Sequence, residues 1–86
     1  MKKKLSIIIP VYNEEGTIRP ILKKINELKI DNIDFEVIII NDGSTDNSVK
    51  IIKENNELYN QFINLEKNSG KGFAIKSGLK LVTGDY

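Results

Sequence analysis

The chain of 86 residues carries 13 Lys plus Arg against 12 Asp plus Glu, a formal net charge of +1, with 40% hydrophobic and 29% charged residues. These proportions suit one small globular domain rather than a disordered segment, and the near-neutral charge gives no reason to expect a nucleic-acid partner or an anionic membrane surface. With no cysteine and no histidine, a disulfide framework, a thiolate nucleophile, a His-based triad and most zinc sites are excluded.

At the N-terminus Lys2, Lys3 and Lys4 form a short basic run. It reads as a solvated end, because the apolar stretch of about 7–15 residues that a signal peptide needs does not follow it. The longest apolar runs are four or five residues, far short of the ~20 needed to cross a bilayer. The expected location is cytoplasmic, including the cytoplasmic face of a membrane for a full-length protein.

Leu5 to Ile9 is a run of mostly β-branched residues ending at Pro10, which predicts a strand buried on both faces. Ile18, Ile21, Leu22, Ile25 and Leu28 then recur at helical spacing. Thr17 is the expected N-cap, and Pro20 falls in the first turn, where its missing N–H costs nothing. Asp31 to Asp34 form a polar turn, and Phe35 to Ile40 is a second buried strand. Asp46 is placed to cap a helix that turns Val49 and Ile52 inward. Phe62 to Leu65 reads as a weaker third strand. Ala74, Ile75, Gly78, Leu79 and Val82 predict one face of a last helix, closed by Gly84.

The order β-α-β-α-β-α argues for an α/β fold, an open parallel sheet of three strands with flanking helices. A chain this short buries only about 60–65% of its unfolded surface, so its stability is marginal unless something completes the core. Right-handed crossovers place all strand C-termini on one side, where ligands bind in such sheets. Three polar loops lie on that side.

The first loop is Pro10–Val11–Tyr12–Asn13–Glu14. The proline stops a ladder and turns the chain outward. Tyr12 is then free to stack on a flat ring, and Glu14 can accept hydrogen bonds from ring N–H or hydroxyl groups; a Tyr12 that merely covers the sheet edge fits the spacing equally well. In the second, Asn41–Asp42–Gly43–Ser44–Thr45–Asp46, Gly43 permits a tight turn and Ser44 to Asp46 supply capping oxygens. Asp46 is expected only to organise the turn. Asp42, at the strand tip with no capping duty, is well placed to bond a base imide or a ribose hydroxyl. The third is Asn68–Ser69–Gly70–Lys71–Gly72, where glycines let backbone N–H groups approach a phosphate and Lys71 adds a cation at a helix start. It is neither a Walker A loop, since position 65 is Leu65, nor a dinucleotide fingerprint, since position 75 is Ile75. A plain flexible glycine turn explains it as well.

Together SIIIPVYNEEGTI, FEVIIINDGSTDNS and NSGKGFAIKSGLKLVTGDY resemble family 2 glycosyltransferases of the GT-A fold in order and spacing across essentially the whole chain. The last segment looks most like enzymes that move a sugar from a nucleotide donor to a polyprenyl phosphate, as dolichyl-phosphate mannose synthases do. The resemblance implies residues 1–86 as a partial domain, the N-terminal, nucleotide-sugar-binding half of such an enzyme. It implies Pro10 and Tyr12 flanking the base, with Tyr12 stacked on it, Glu14 in the same pocket, Asp42 on the base imide and Lys71 near the diphosphate. Where the family usually has aspartate before Asp42, this chain has Asn41, a change expected to be tolerated because the second position meets the base.

The resemblance further implies a divalent metal, Mg or Mn, held by an Asp-x-Asp motif that this sequence does not contain. It implies an acceptor half with a general base in inverting members. Sugar transfer to a polyprenyl-phosphate or glycan acceptor is therefore the expected activity of the complete domain, with the 86-residue chain inactive alone. The contrasting expectation is a non-catalytic nucleotide-binding or scaffolding module. A receiver-type α/β domain is disfavoured, because it places its acidic cluster and lysine differently and gives PVYNEE no role. In the family a fourth strand pairs beside the first, so Leu5 to Ile9 is expected to offer an open apolar edge and to promote self-association.

Overall fold

The computed structural model describes residues 3–65, 67, 71–80 and 82, with backbone alone for 71–74. The elements run β1 (Lys3–Val11), α1 (Ile18–Glu27), β2 (Ile33–Asp42), α2 (Ser48–Glu54), a 3-10 turn (Asn56–Leu58), β3 (Gln61–Leu65) and α3 (Lys71–Leu79). The strands form one sheet in the order β1-β2-β3. Both pairings are parallel.

Strand alternation sorts the side chains into two layers. Val37 and Ile39 of β2 join Val11, Ile18, Leu22 and Ile52 in one cluster, against α1 and α2. Ile38 and Ile40 face the other way, with Ile8, Ile63, Leu65 and Val82 packed against them. On this second side α3 packs against β1 and β2. Being central, β2 is covered from both faces, and Ile38, Ile39 and Ile40 are each 0% exposed. Burying one such side chain stabilises the fold by roughly 1.5–3 kcal/mol.

Gly78 lets α3 approach the sheet. A Cβ there would stand 2.8 Å from Ile8 Cγ2 and 3.3 Å from Ile40 Cδ1. On the same second side Glu36, 7% exposed, is tied across to β1 by the Ser6 hydroxyl, which donates to its Oε1 at 2.9 Å.

Several expectations change at the element ends. β1 is not buried on both faces: Leu5 to Pro10 are half-buried, because β1 lies at the edge of the described sheet. Pro10 does not end the strand either, but pairs with Ile40, and Val11 continues to Asn41. An edge strand tolerates proline because its nitrogen can face the side where no partner needs a proton.

Thr17 holds the N-cap position of α1 but makes no side-chain capping bond. Such a bond would reach the second or third helical N–H, and the third residue is Pro20, which has none. Ile21 and Leu28 are exposed, leaving Ile18, Leu22 and the partly buried Ile25 to meet the sheet. α3 stops at Leu79, and both Ile75 and Leu79 are exposed, whereas Val82 packs on the sheet from beyond the helix. Asn68 to Gly70 and Gly84 lie outside the described residues, as does the side chain of Ala74.

Candidate functional site

The C-terminal ends of β1 and β2 carry two loops that are bonded to each other. Past Val11, Tyr12 is 47% exposed. Asn13 takes a left-handed backbone with φ of 52°, a conformation that asparagine tolerates better than most residues. The Glu14 carbonyl accepts from the amides of Thr17 and Ile18 at 3.0 and 2.9 Å, starting the turn that becomes α1. The Glu14 carboxylate accepts the Thr17 hydroxyl at 2.8 Å. It thus sits by the positive end of α1, where negative charge is favoured.

At the tip of β2 the pleat separates two neighbours. Asn41 belongs to the α1–α2 side, where its Nδ2 donates to Asn64 Oδ1 at 2.7 Å and its Oδ1 accepts from the Ser44 amide at 3.3 Å. Asp42 lies on the opposite side, in register with Leu65 of β3. Both are buried, at 2% and 3% exposure. Gly43 turns the chain with φ of 71°, and its amide bonds Leu65 O at 2.9 Å. The turn expected there is present.

The capping oxygens are used differently from expectation. Ser44 Oγ accepts the Asn13 amide at 2.9 Å, and the amides of Thr45 and Asp46 donate to Asn13 Oδ1 at 2.7 and 3.2 Å. Asp46 alone serves α2, accepting the Ser48 amide at 2.9 Å, while its other oxygen accepts the Glu15 amide at 3.2 Å. Asn47 occupies the N-cap position without a side-chain bond. Ser48, 0% exposed, accepts the Glu14 amide at 2.8 Å.

Burial alone would raise the Asp46 pKa. Hydrogen bonds from the Ser48 side chain, from the Ser48 and Glu15 amides and from its own amide outweigh that and lower it from the ordinary 3.8. Its expected role as an organiser of the turn is what these bonds describe.

Of the sequence-predicted site residues, Pro10, Tyr12, Glu14 and Asp42 come to one edge of the sheet, at the ends of adjacent strands. Lys71 opens α3, whose first side chains are outside the described part. Asn13, Ser44 and Ser48 were not singled out as joining the loops. Their partners are more than 30 residues away in sequence, and no local pattern announces such bonds.

A cavity of about 230 Å³ lies toward the other end of the sheet, lined by residues that include Ile25, Asn26, Phe35, Val37, Leu58 and Tyr59. It is far along β2 from Asp42. Among the described residues no group of three or more His, Cys, Asp or Glu could hold a metal ion.

Comparison with known proteins bears on the family and the fold. The model of the family described as glycosyl transferase family 2 matches residues 6–86. Poly-beta-1,6-N-acetyl-D-glucosamine synthase of Staphylococcus aureus is 39% identical over 85 residues, covering 95% of this chain and 20% of that protein. Glycosyltransferase GlyA of Streptococcus pneumoniae is 38% identical over 84 residues, covering 96% of this chain and 12% of its own length. The chain therefore spans about a fifth or less of these relatives. Among solved structures, a mannosyltransferase from Pyrobaculum calidifontis, in complex with GDP-Man and Mn2+, superposes with a TM-score of 0.82 at 23% identity. That match covers 99% of this chain and 26% of the mannosyltransferase, and it supports the open parallel α/β fold.

Proposed function

We propose, from the premise that this chain belongs to glycosyl transferase family 2, that it is the part of a glycosyltransferase domain that binds a nucleoside-diphosphate sugar donor. The observation that carries the proposal is the joined pair of strand-end loops, which brings Tyr12, Glu14 and Asp42 to one sheet edge. In this reading Tyr12, already exposed, stacks on the base beside Pro10. Asp42 accepts a hydrogen bond from the base imide N–H at the strand tip, and Glu14 takes a ribose or base donor in the same pocket. Lys71, at the start of α3, balances diphosphate charge where a helix N-terminus also favours an anion.

The pleat explains why Asn41 is compatible with this role. Its amide bonds Asn64 on the α1–α2 side, whereas the base would meet Asp42 on the other.

The sugar is transferred to an acceptor bound by chain outside these residues. A growing glycan is favoured as acceptor, because relatives matched over most of this chain are named as poly-beta-1,6-N-acetyl-D-glucosamine synthases. The narrower resemblance to transferases using a polyprenyl phosphate draws no support from these relatives and stands as the alternative acceptor. The mannosyltransferase neighbour was solved with Mn2+, in keeping with a divalent metal at the diphosphate. A bound divalent ion would neutralise charge on the leaving nucleotide. The described residues do not fit such an ion, and in this reading their share of the chemistry is to bind and orient the nucleotide.

Among the described residues no helix is long and apolar enough to cross a membrane; a cytoplasmic location is a separate part of this proposal. The 86-residue chain is expected to bind donor without turning it over. A non-catalytic nucleotide-binding module would share the binding and differ only in lacking transfer in the full-length protein.

Calorimetry with UDP and with GDP tests the reading. The chain should bind one of them, and Asp42→Ala should weaken that binding by about tenfold or more, the loss expected for a charge-assisted hydrogen bond. Binding unaffected by the substitution would remove Asp42 from the site.

A further inference from the structure

The residues that join the two loops, Glu14 apart, have no part in the nucleotide contacts just assigned, yet they form a continuous seam. The amides of Asn13, Glu14 and Glu15 donate to Ser44 Oγ, Ser48 Oγ and Asp46 Oδ2. In return the amides of Thr45 and Asp46 donate to Asn13 Oδ1, and that of Asn47 to Glu15 Oε2 at 3.1 Å. The Thr45 hydroxyl adds a third, longer approach to Asn13 Oδ1 at 3.4 Å. Asn13 is the pivot: its amide crosses the seam to Ser44, and its one side-chain oxygen takes the amides of both Thr45 and Asp46. Its backbone there is left-handed, with φ of 52°.

We propose that Asn13 is a positioning residue. It locks the Tyr12–Glu14 segment to the Ser44–Ser48 segment, so that an incoming nucleotide meets one preformed edge instead of two independent loops. The proposal rests on the nucleotide reading above. Its physical basis is preorganisation: loops already held in the bound arrangement lose less conformational freedom when the ligand arrives, and that saving appears as affinity. Tyr12, next to the pivot in sequence, inherits its direction from Asn13. Asp42 is held separately, by its register with Leu65 in the sheet and by the bond of the Gly43 amide to Leu65 O.

The side-chain role of Asn13 is that of an acceptor, which makes the test specific. Asn13→Gly keeps the left-handed backbone accessible but removes the acceptor. Asn13→Asp keeps an acceptor oxygen and tolerates the same backbone, while adding a charge near Glu14, Glu15 and Asp46. The experiment measures UDP and GDP affinity by calorimetry for the wild-type chain and both variants, together with hydrogen exchange at the amides of Thr45 and Asp46.

Asn13→Gly is expected to exchange these amides faster and to bind about tenfold more weakly, with Asn13→Asp recovering most of both. Equal affinity for wild type and Asn13→Gly would overturn the proposal, as would equal losses in the two variants. Should Asn13→Gly not fold, Ser44→Ala removes the partner of the Asn13 amide from the other side of the seam. It is expected to weaken binding severalfold, and unchanged affinity would again overturn the proposal. A wild-type chain that binds neither nucleotide overturns the nucleotide reading itself. That outcome is distinct from a binding chain indifferent to position 13.

Discussion

Asp46 gives the seam a carboxylate whose pKa lies below its ordinary value. Its folded pKa is lowered because, against the opposing effect of burial, the donors at Ser48 and Glu15 favour the charged form. A lowered folded value means that its contribution to stability is fully present above the ordinary 3.8 and is lost as pH falls through the lower folded value. The amide resonances of Ser48 and Glu15 should therefore titrate together below pH 3.8. Asp46→Asn should abolish that transition. A midpoint above the ordinary value would contradict the assignment. At this scale the sequence was only half legible. Gly43 and Asp46 announced a turn through residue type alone, and Pro20 removed one of the two N–H groups that a Thr17 cap could reach. Asn13 and Ser48 were hidden, because their importance lies in partners brought close only by the parallel pairing of β1 with β2.

Secondary structure was more legible, because apolar β-branched runs and helical spacing are local. Phe35 to Ile40 was recognised as a buried strand, and it forms the body of β2. What the pattern overstated was coverage. The apolar positions of α1 extend around a wider arc than the sheet buries, which leaves Ile21 and Leu28 in solvent. For α3 the contact depends on an absent side chain, at Gly78. Alanine there would gain up to about 1 kcal/mol of helix propensity, but its methyl would meet Ile8 Cγ2 at 2.8 Å. That branch methyl sits on the Ile8 Cβ and cannot swing aside like the end of a long chain. Overpacking of this kind costs about 1–3 kcal/mol. Gly78→Ala is accordingly expected to lose about 1 kcal/mol net in urea unfolding, the balance of these two effects. Adding Ile8→Leu, which removes the branch methyl, should restore part of the loss. A stabilised Gly78→Ala would mean that α3 stands farther from the sheet.

At the scale of the whole sheet, the strand order among the described residues places β1 at an edge, with half-buried Ile7, Ile8 and Ile9 along it. An edge strand of this kind invites another strand. Sedimentation of the 86-residue chain should show self-association that grows with concentration, whereas a single monomeric species throughout the range would argue against it. The fold class was readable from the alternation of strands and helices, and the family from the loops at the strand ends. The acceptor was not, since the chain spans about a fifth of its synthase relatives, and the donor base was not, since an aromatic face and a carboxylate suit any base with an imide N–H. The seam sharpens the central claim, because the loops that would hold the nucleotide are now one surface with defined neighbours. Amide NMR during titration with UDP or GDP tests it most directly. Shifts should concentrate at Tyr12 to Glu15 and Asp42 to Asp46, with the first turn of α3 following. Shifts confined to the cavity around Asn26 and Tyr59, or none with either nucleotide, would contradict it.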